Sequence, residues 1–168
     1  METSVNWDKV VDDIGPRLFR YFCVRFSKEQ SDDLTQETLI RLVRKVEDNQ
    51  FNPDKGTLKM LSFGIAHYVA LEVKQLEPND SIDDWADSLV SDVDLERTVI
   101  SQEMVHRVRQ YIKNLSDIEQ QVLSLFVDDE LTIVEIGKIL KVPDGTIKSH
   151  IFRAKQKLVN LIQKENLL

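Results

Sequence analysis

TIVEIGKILKVPDGTIKSHIFRAKQKL, residues 132–158, is the stretch that decides the fold. Ile133, Ile136, Ile139 and Leu140 fall three or four apart and share one face of a helix. Gly137 sits on that run, where a small residue lets a second helix approach closely. Val142-Pro143-Asp144-Gly145 breaks the pattern, with Pro suited to a first helical turn and Asp to an amino end. Ile147, Ile151, Ala154 and Leu158 then form a new apolar stripe, surrounded by Lys148, Ser149, His150, Phe152, Arg153, Lys155 and Lys157. Two short amphipathic helices joined by a tight turn, the second carrying the cations and donors, suit insertion into a DNA major groove. The plainer alternative is a helical hairpin whose charged face is only solvated.

Working outward, the whole chain reads as helical. Val10, Val11, Ile14, Leu18, Phe19, Phe22 and Phe26 make a first stripe, which Pro16 is expected to bend or split. Ser31 before Asp32-Asp33-Leu34 reads as the amino end of a second helix that runs to about Asp48. Residues 49–56 are dense in turn formers. A third helix is expected from Thr57 to about Gln75, with Leu58, Leu61, Ile65, Ala66, Val69 and Val73 on its apolar side and Phe63 in the core. Helical pattern resumes near Leu95 and carries Val108, Tyr111 and Ile112; Leu115-Ser116-Asp117 ends that helix and starts the next. No segment reads as strand. The expected fold class is all-α: two small helical domains, residues 1–76 and 104–168, joined by a linker at 77–103.

The 168 residues carry a net charge of −7, an odd balance for a nucleic-acid binder until it is located. Residues 76–103 hold nine acids and one base, so the acidity belongs to the connecting segment. The two flanking regions are nearly balanced. Ile82, Trp85, Leu89 and Val93 within the linker are spaced for a transient or partner-bound helix. No run of about 18 apolar residues exists to span a membrane, and the acidic, polar METSVNWDKV start is no secretory signal. The cytoplasm is the expected location. Cys23 is the single cysteine, and three scattered histidines offer no metal-ligand spacing, so neither metal nor cofactor is expected. Without a nucleophile–base pair or a phosphate-cradling glycine loop, no enzyme is expected either.

These residues resemble a known family. Leu115-Ser116-Asp117-Ile118-Glu119-Gln120-Gln121-Val122-Leu123, Leu131-Thr132-Ile133-Val134-Glu135-Ile136-Gly137 and the run from Val142 to Lys155 resemble the last domain of bacterial RNA polymerase sigma factors. Asp32-Asp33-Leu34-Thr35-Gln36-Glu37 and Phe51-Asn52-Pro53-Asp54-Lys55-Gly56-Thr57 resemble the first domain of the short extracytoplasmic-function (ECF) group. The resemblance spans nearly the whole chain in the right order.

It implies a factor that binds core polymerase at its clamp and flap regions and directs initiation from promoter DNA. By position, Asp33, Gln36, Glu37, Ile40 and Arg41 are implied to dock on the clamp. Asn52, Asp54, Lys55, Thr57, Lys59, His67, Tyr68 and Lys74 are implied to hold the melted −10 element. Thr146, Lys148, Ser149, His150, Phe152, Arg153, Lys155 and Lys157 are implied to meet the −35 duplex. Arg153 or Lys148 suits guanine edges and Phe152 thymine methyls, while Lys155 and Lys157 suit phosphates. Thr146 would offer a phosphate its hydroxyl or backbone N–H. An anti-sigma factor is an implied partner, and the acidic linker is implied to thread the polymerase cleft as a polyanion.

The chain departs from the family at Leu61, where a Trp is usual, at His67-Tyr68, where an Arg-Asn pair is usual, and at Glu72-Val73-Lys74-Gln75, which is less basic. Fewer cations there mean weaker hold on phosphates. The alternative function this raises is a sigma-like decoy that occupies an anti-sigma factor or polymerase without opening promoters.

Overall fold

The structure is a computed structural model and describes residues 4–76, 102–128 and 130–165. Among these residues there are seven helices and no strand: α1 (Trp7–Cys23), α2 (Lys28–Glu47), α3 (Leu58–Leu76), α4 (Gln102–Lys113), α5 (Asp117–Phe126), α6 (Ile133–Leu140) and α7 (Asp144–Lys164). The acidic linker, with Ile82, Trp85, Leu89 and Val93, and the start of helical pattern near Leu95 lie outside the described residues.

Helices α1, α2 and α3 form the first domain. Leu18, Phe22, Leu42 and Phe63 are fully buried at its centre. Tyr21 packs edge-on against Phe22 and Phe63, with ring centroids 5.0 and 6.0 Å apart. These edge-to-face pairs add specificity to burial that already favours the bundle. The structure narrows one expectation and corrects another. Pro16 does not split α1, which is one helix through it. Helix α2 starts one turn before Ser31: Ser27 accepts from Gln30 N–H at 3.2 Å, and the Gln30 side chain accepts from Ser27 N–H at 3.3 Å. That reciprocal box satisfies two end donors, whereas Ser31 is fully buried inside the helix.

The second domain packs α5 and α6 against α7, with α4 also on α7. Val122, Leu125, Ile136 and Ile147 are its fully buried centre. Ser116 and Thr132 open α5 and α6 with the same box, closed by Glu119 and Glu135. The two domains also touch, α3 against α6 and α1 against α5, and their buried side chains form one continuous apolar cluster from Ile14 to Ile147.

Candidate nucleic-acid and polymerase interfaces

The turn between α6 and α7 is fixed by close backbone contact. Lys141 adopts a left-handed conformation (φ 57°) at the end of α6, and Val142 N–H donates to the Gly137 carbonyl at 2.9 Å. This is the hydrogen bonding of a helix stop. A Cβ on Gly137 would lie 2.8 Å from the Val142 carbonyl oxygen and 3.0 Å from Asp144 Oδ1. Only glycine fits, as the close approach of the helices requires. Pro143 then leads into α7 with φ −59°, the value its ring enforces.

Helix α7 buries Ile147 and Ala154 and half-buries Ile151. The opposite face carries Lys148, Ser149, Phe152 and Arg153, spaced three and four apart, which line one shallow depression. Phe152 is 64% exposed. Ser149 Oγ donates to the Gly145 carbonyl at 3.0 Å, and Arg153 Nε reaches the Ser149 carbonyl at 3.3 Å, leaving the rest of its guanidinium outward. Thr146 is exposed, but its N–H already donates to the Pro143 carbonyl at 3.0 Å, so only its hydroxyl can meet a phosphate. His150 is half-buried.

The two trailing lysines are engaged at home. Lys155 Nζ sits 4.6 Å from the centroid of the Phe126 ring. Lys157 Nζ donates to both oxygens of Glu119, at 2.9 and 2.7 Å. Glu119 is buried; burial pushes its carboxyl pKa up, but Lys157 and the Ser116 donors outweigh that and leave it below the ordinary value. Lys157 therefore ties α7 to α5.

In the first domain, Asn52, Asp54, Lys55 and Thr57 are exposed. Asn52 Oδ1 accepts from Asp54 N–H at 2.9 Å, and Thr57 Oγ1 accepts from Met60 N–H at 3.2 Å, which shapes the loop and starts α3. The loop borders a cavity of about 470 Å³ with Phe51, Leu61 and Tyr68 on one side and Lys138, Ile139 and Lys141 of α6 on the other. Tyr68 is 51% exposed. His67 is not on that surface. It is buried, and burial together with the nearby Arg25 charge pushes its pKa below the ordinary histidine value. Lys59 donates to the Glu130 carbonyl at 2.9 Å and lies 3.6 Å from Glu135; Lys74 lies 3.4 Å from Asp117.

On α2, Asp33 and Gln36 are exposed, Glu37 is half-buried and Ile40 is 46% exposed. Arg41 joins Glu37 at 2.6 Å and Glu72 of α3 through two bonds of 2.9 and 2.8 Å. The i,i+4 spacing of Glu37 and Arg41 is legible in the sequence; the Glu72 contact is not. Sequence reasoning also missed Arg17 and Asp128, which find each other, and Lys138 and Lys141, which come to wall the cavity, only through the packing of one domain on the other. Among the described residues no helix is long and apolar enough to cross a membrane, and no cluster of three metal-ligating side chains occurs.

Residues 111–159 match the family described as Sigma-70, region 4, which covers α5, α6, the turn and most of α7. The chain is 26% identical to the ECF RNA polymerase sigma factor SigW of Bacillus subtilis over 162 residues, 89% of this chain and 84% of SigW. It is 25% identical to the ECF sigma factor SigE of Mycolicibacterium smegmatis over 163 residues, 96% of this chain and 63% of SigE. Its fold is similar to that of the sigma factor RpoE of Bartonella quintana, solved in complex with the anti-sigma factor NepR. The TM-score is 0.67 at 18% identity, over 94% of this chain and 97% of that one. With the helix-turn-helix built as described, residues 111–159 form a Sigma-70 region 4 domain, and the chain is similar over most of its length to sigma factors of the extracytoplasmic-function group.

Proposed function

We propose that this chain binds core RNA polymerase and directs it to promoters, with α7 reading the −35 duplex and the loop at 50–57 with α3 holding the melted −10 strand. The observation that carries the reading is the α7 face. A large aromatic, Phe152, stands 64% exposed among Lys148, Ser149 and Arg153 on a helix whose other side is firmly packed. Such a face combines a guanidinium and an ammonium for guanine edges with an apolar group for thymine methyls. Tyr68 and Lys55 beside the cavity supply a stacking ring and a cation for a single strand. Asp33, Gln36 and Ile40 give α2 an exposed mixed surface suited to the polymerase clamp. Arg41, tied to Glu37 and Glu72, shapes that surface. The flap is the proposed contact of the second domain, and the cytoplasm is the proposed location. A regulator like that bound to the neighbouring RpoE is a fitting partner.

The decoy reading draws on a specific observation: both α3 cations proposed to hold the −10 strand, Lys59 and Lys74, face carboxylates of the second domain. Transcription with core polymerase on fragmented source genome, with start sites sequenced, separates the two. Chain-dependent starts that share upstream −35 and −10 sequences are expected of the sigma factor; core binding without new starts is expected of the decoy.

A further inference from the structure

The cavity between the two domains is ringed by cations that no acid of the fold answers. It measures about 470 Å³ and lies between the 50–57 loop with α3 on one side and α6 on the other. Its apolar surface comes from Phe51, Met60, Leu61, Ile65, Tyr68 and Ile139, of which Ile65 and Ile139 are buried. Lys45, Lys55, Lys138 and Lys141 also line it, and no carboxylate does. Lys45 Nζ is held by Gln50 Oε1 at 3.4 Å, and none of the four lysines has a carboxylate partner among the described residues. Lys59 and Lys74 of α3, by contrast, both face acids. Like charges gathered around a concave surface raise its potential and draw anions. A cavity of this size, with a mostly apolar wall and a few charged groups, has the character of a small-molecule site.

Gly64 keeps this cavity open. It stands inside α3, where glycine is the weakest helix former apart from proline. Its φ is not positive, and a Cβ there would stand in open space. Neither the backbone nor the packing requires a glycine at this position. Because Gly64 lines the cavity, a longer side chain would fill it. The shape and the charge of the space also select its occupant. The amide oxygens that could read a nucleobase edge are committed, Gln50 Oε1 to Lys45 and Asn52 Oδ1 to Asp54 N–H. What remains is aliphatic, aromatic and thioether surface within a ring of ammonium groups. Burying a polar body on such a surface is costly, whereas an apolar chain fits it and leaves a charged head among the lysines at the rim.

We propose that this cavity binds a free amphiphilic anion, an aliphatic carboxylate whose chain lies against Met60, Leu61 and Ile139 and whose head meets the lysines. The inference goes beyond promoter recognition and does not rest on it. The test uses the full chain, isothermal titration calorimetry, and decanoate below its micelle concentration as probe. Decanoate binds at a single saturable site and raises the thermal midpoint, as a ligand of the folded state must. Lys138→Gln with Lys141→Asn weakens binding about tenfold, the worth of two partly exposed ion pairs. Gly64→Leu, which sets a strong helix former in open space, removes binding while circular dichroism shows helix content kept. Decanol, with the same chain and no charge, binds about tenfold more weakly or less. Absence of saturable binding overturns the proposal, as does binding that survives Gly64→Leu or the lysine variant unchanged. Decanol that matches decanoate overturns it too. Thymidine 5′-monophosphate that binds as tightly as decanoate overturns it and assigns the cavity to a nucleotide. Flotation of the chain with phosphatidylglycerol vesicles overturns the free ligand in favour of a lipid surface.

Discussion

At the scale of single residues, Gly137 and His67 show how tightly position constrains chemistry. Gly137→Ala places a methyl 2.8 Å from a backbone oxygen that belongs to the turn itself. The turn must shift, and we expect a loss of about 1–3 kcal/mol, typical of overpacking, read as a lower thermal midpoint. Duplex binding should fall with it, because α7 is re-aimed. His67 gives a pH signature. Its folded pKa is depressed by burial, so the folded chain favours the neutral ring. Stability from this residue is present above the unfolded value of about 6.5 and is lost as pH falls through the depressed folded value. Thermal midpoints measured at successive pH values from 7.5 to 5.5 should decline, and His67→Gln should flatten that decline. The small side chain at Gly137 is legible in the sequence as a close approach. The burial of His67 is not, because its neighbours Tyr68 and Val69 lie on opposite sides of the surface and no periodicity separates them.

At the scale of elements, α7 divides its cations between two tasks. Arg153 stands on the exposed face with Phe152, whereas Lys157 is bound to buried Glu119. Arg153→Ala should weaken duplex binding and relax base preference, by about 1–3 kcal/mol for a lost bidentate contact, in a competition assay across operator variants. Lys157→Ala should instead lower the thermal midpoint, since it leaves the buried Glu119 carboxylate unpaired, with base preference unchanged. The sequence places both residues in one basic cluster; only the fold distinguishes them. Helix α2 divides its surface in the same way. Gln36→Ala with Glu37→Ala should reduce binding of the full chain to core polymerase while −35 duplex binding is kept, as measured by anisotropy with each partner. Its amino end lies one turn upstream of Ser31, whose two following acids imitate a cap, while the actual Ser27–Gln30 box is an equally short signal just upstream.

At the scale of the whole molecule, the helical content, the core residues of each helix and the helix-turn-helix follow from local pattern: apolar spacing, capping boxes and a proline–glycine turn. The relation between the domains does not. Arg17 reads as an ordinary surface cation on an amphipathic helix, and Asp128 as one of several acids in a loop. Their pairing depends on packing between segments far apart in the chain, which no periodicity reports. The same packing explains why Lys59 and Lys74, chosen for position and charge, are found facing acids.

The central claim is that this chain opens promoters. It is tested most directly by 2-aminopurine placed in the −10 element of a promoter taken from the start-site map, with fluorescence followed as core polymerase and the chain are added together. The account predicts a rise in fluorescence that requires both proteins and is lost when the −35 sequence is scrambled. Stable binding of core polymerase and chain to that promoter without any unstacking of the −10 bases would contradict it.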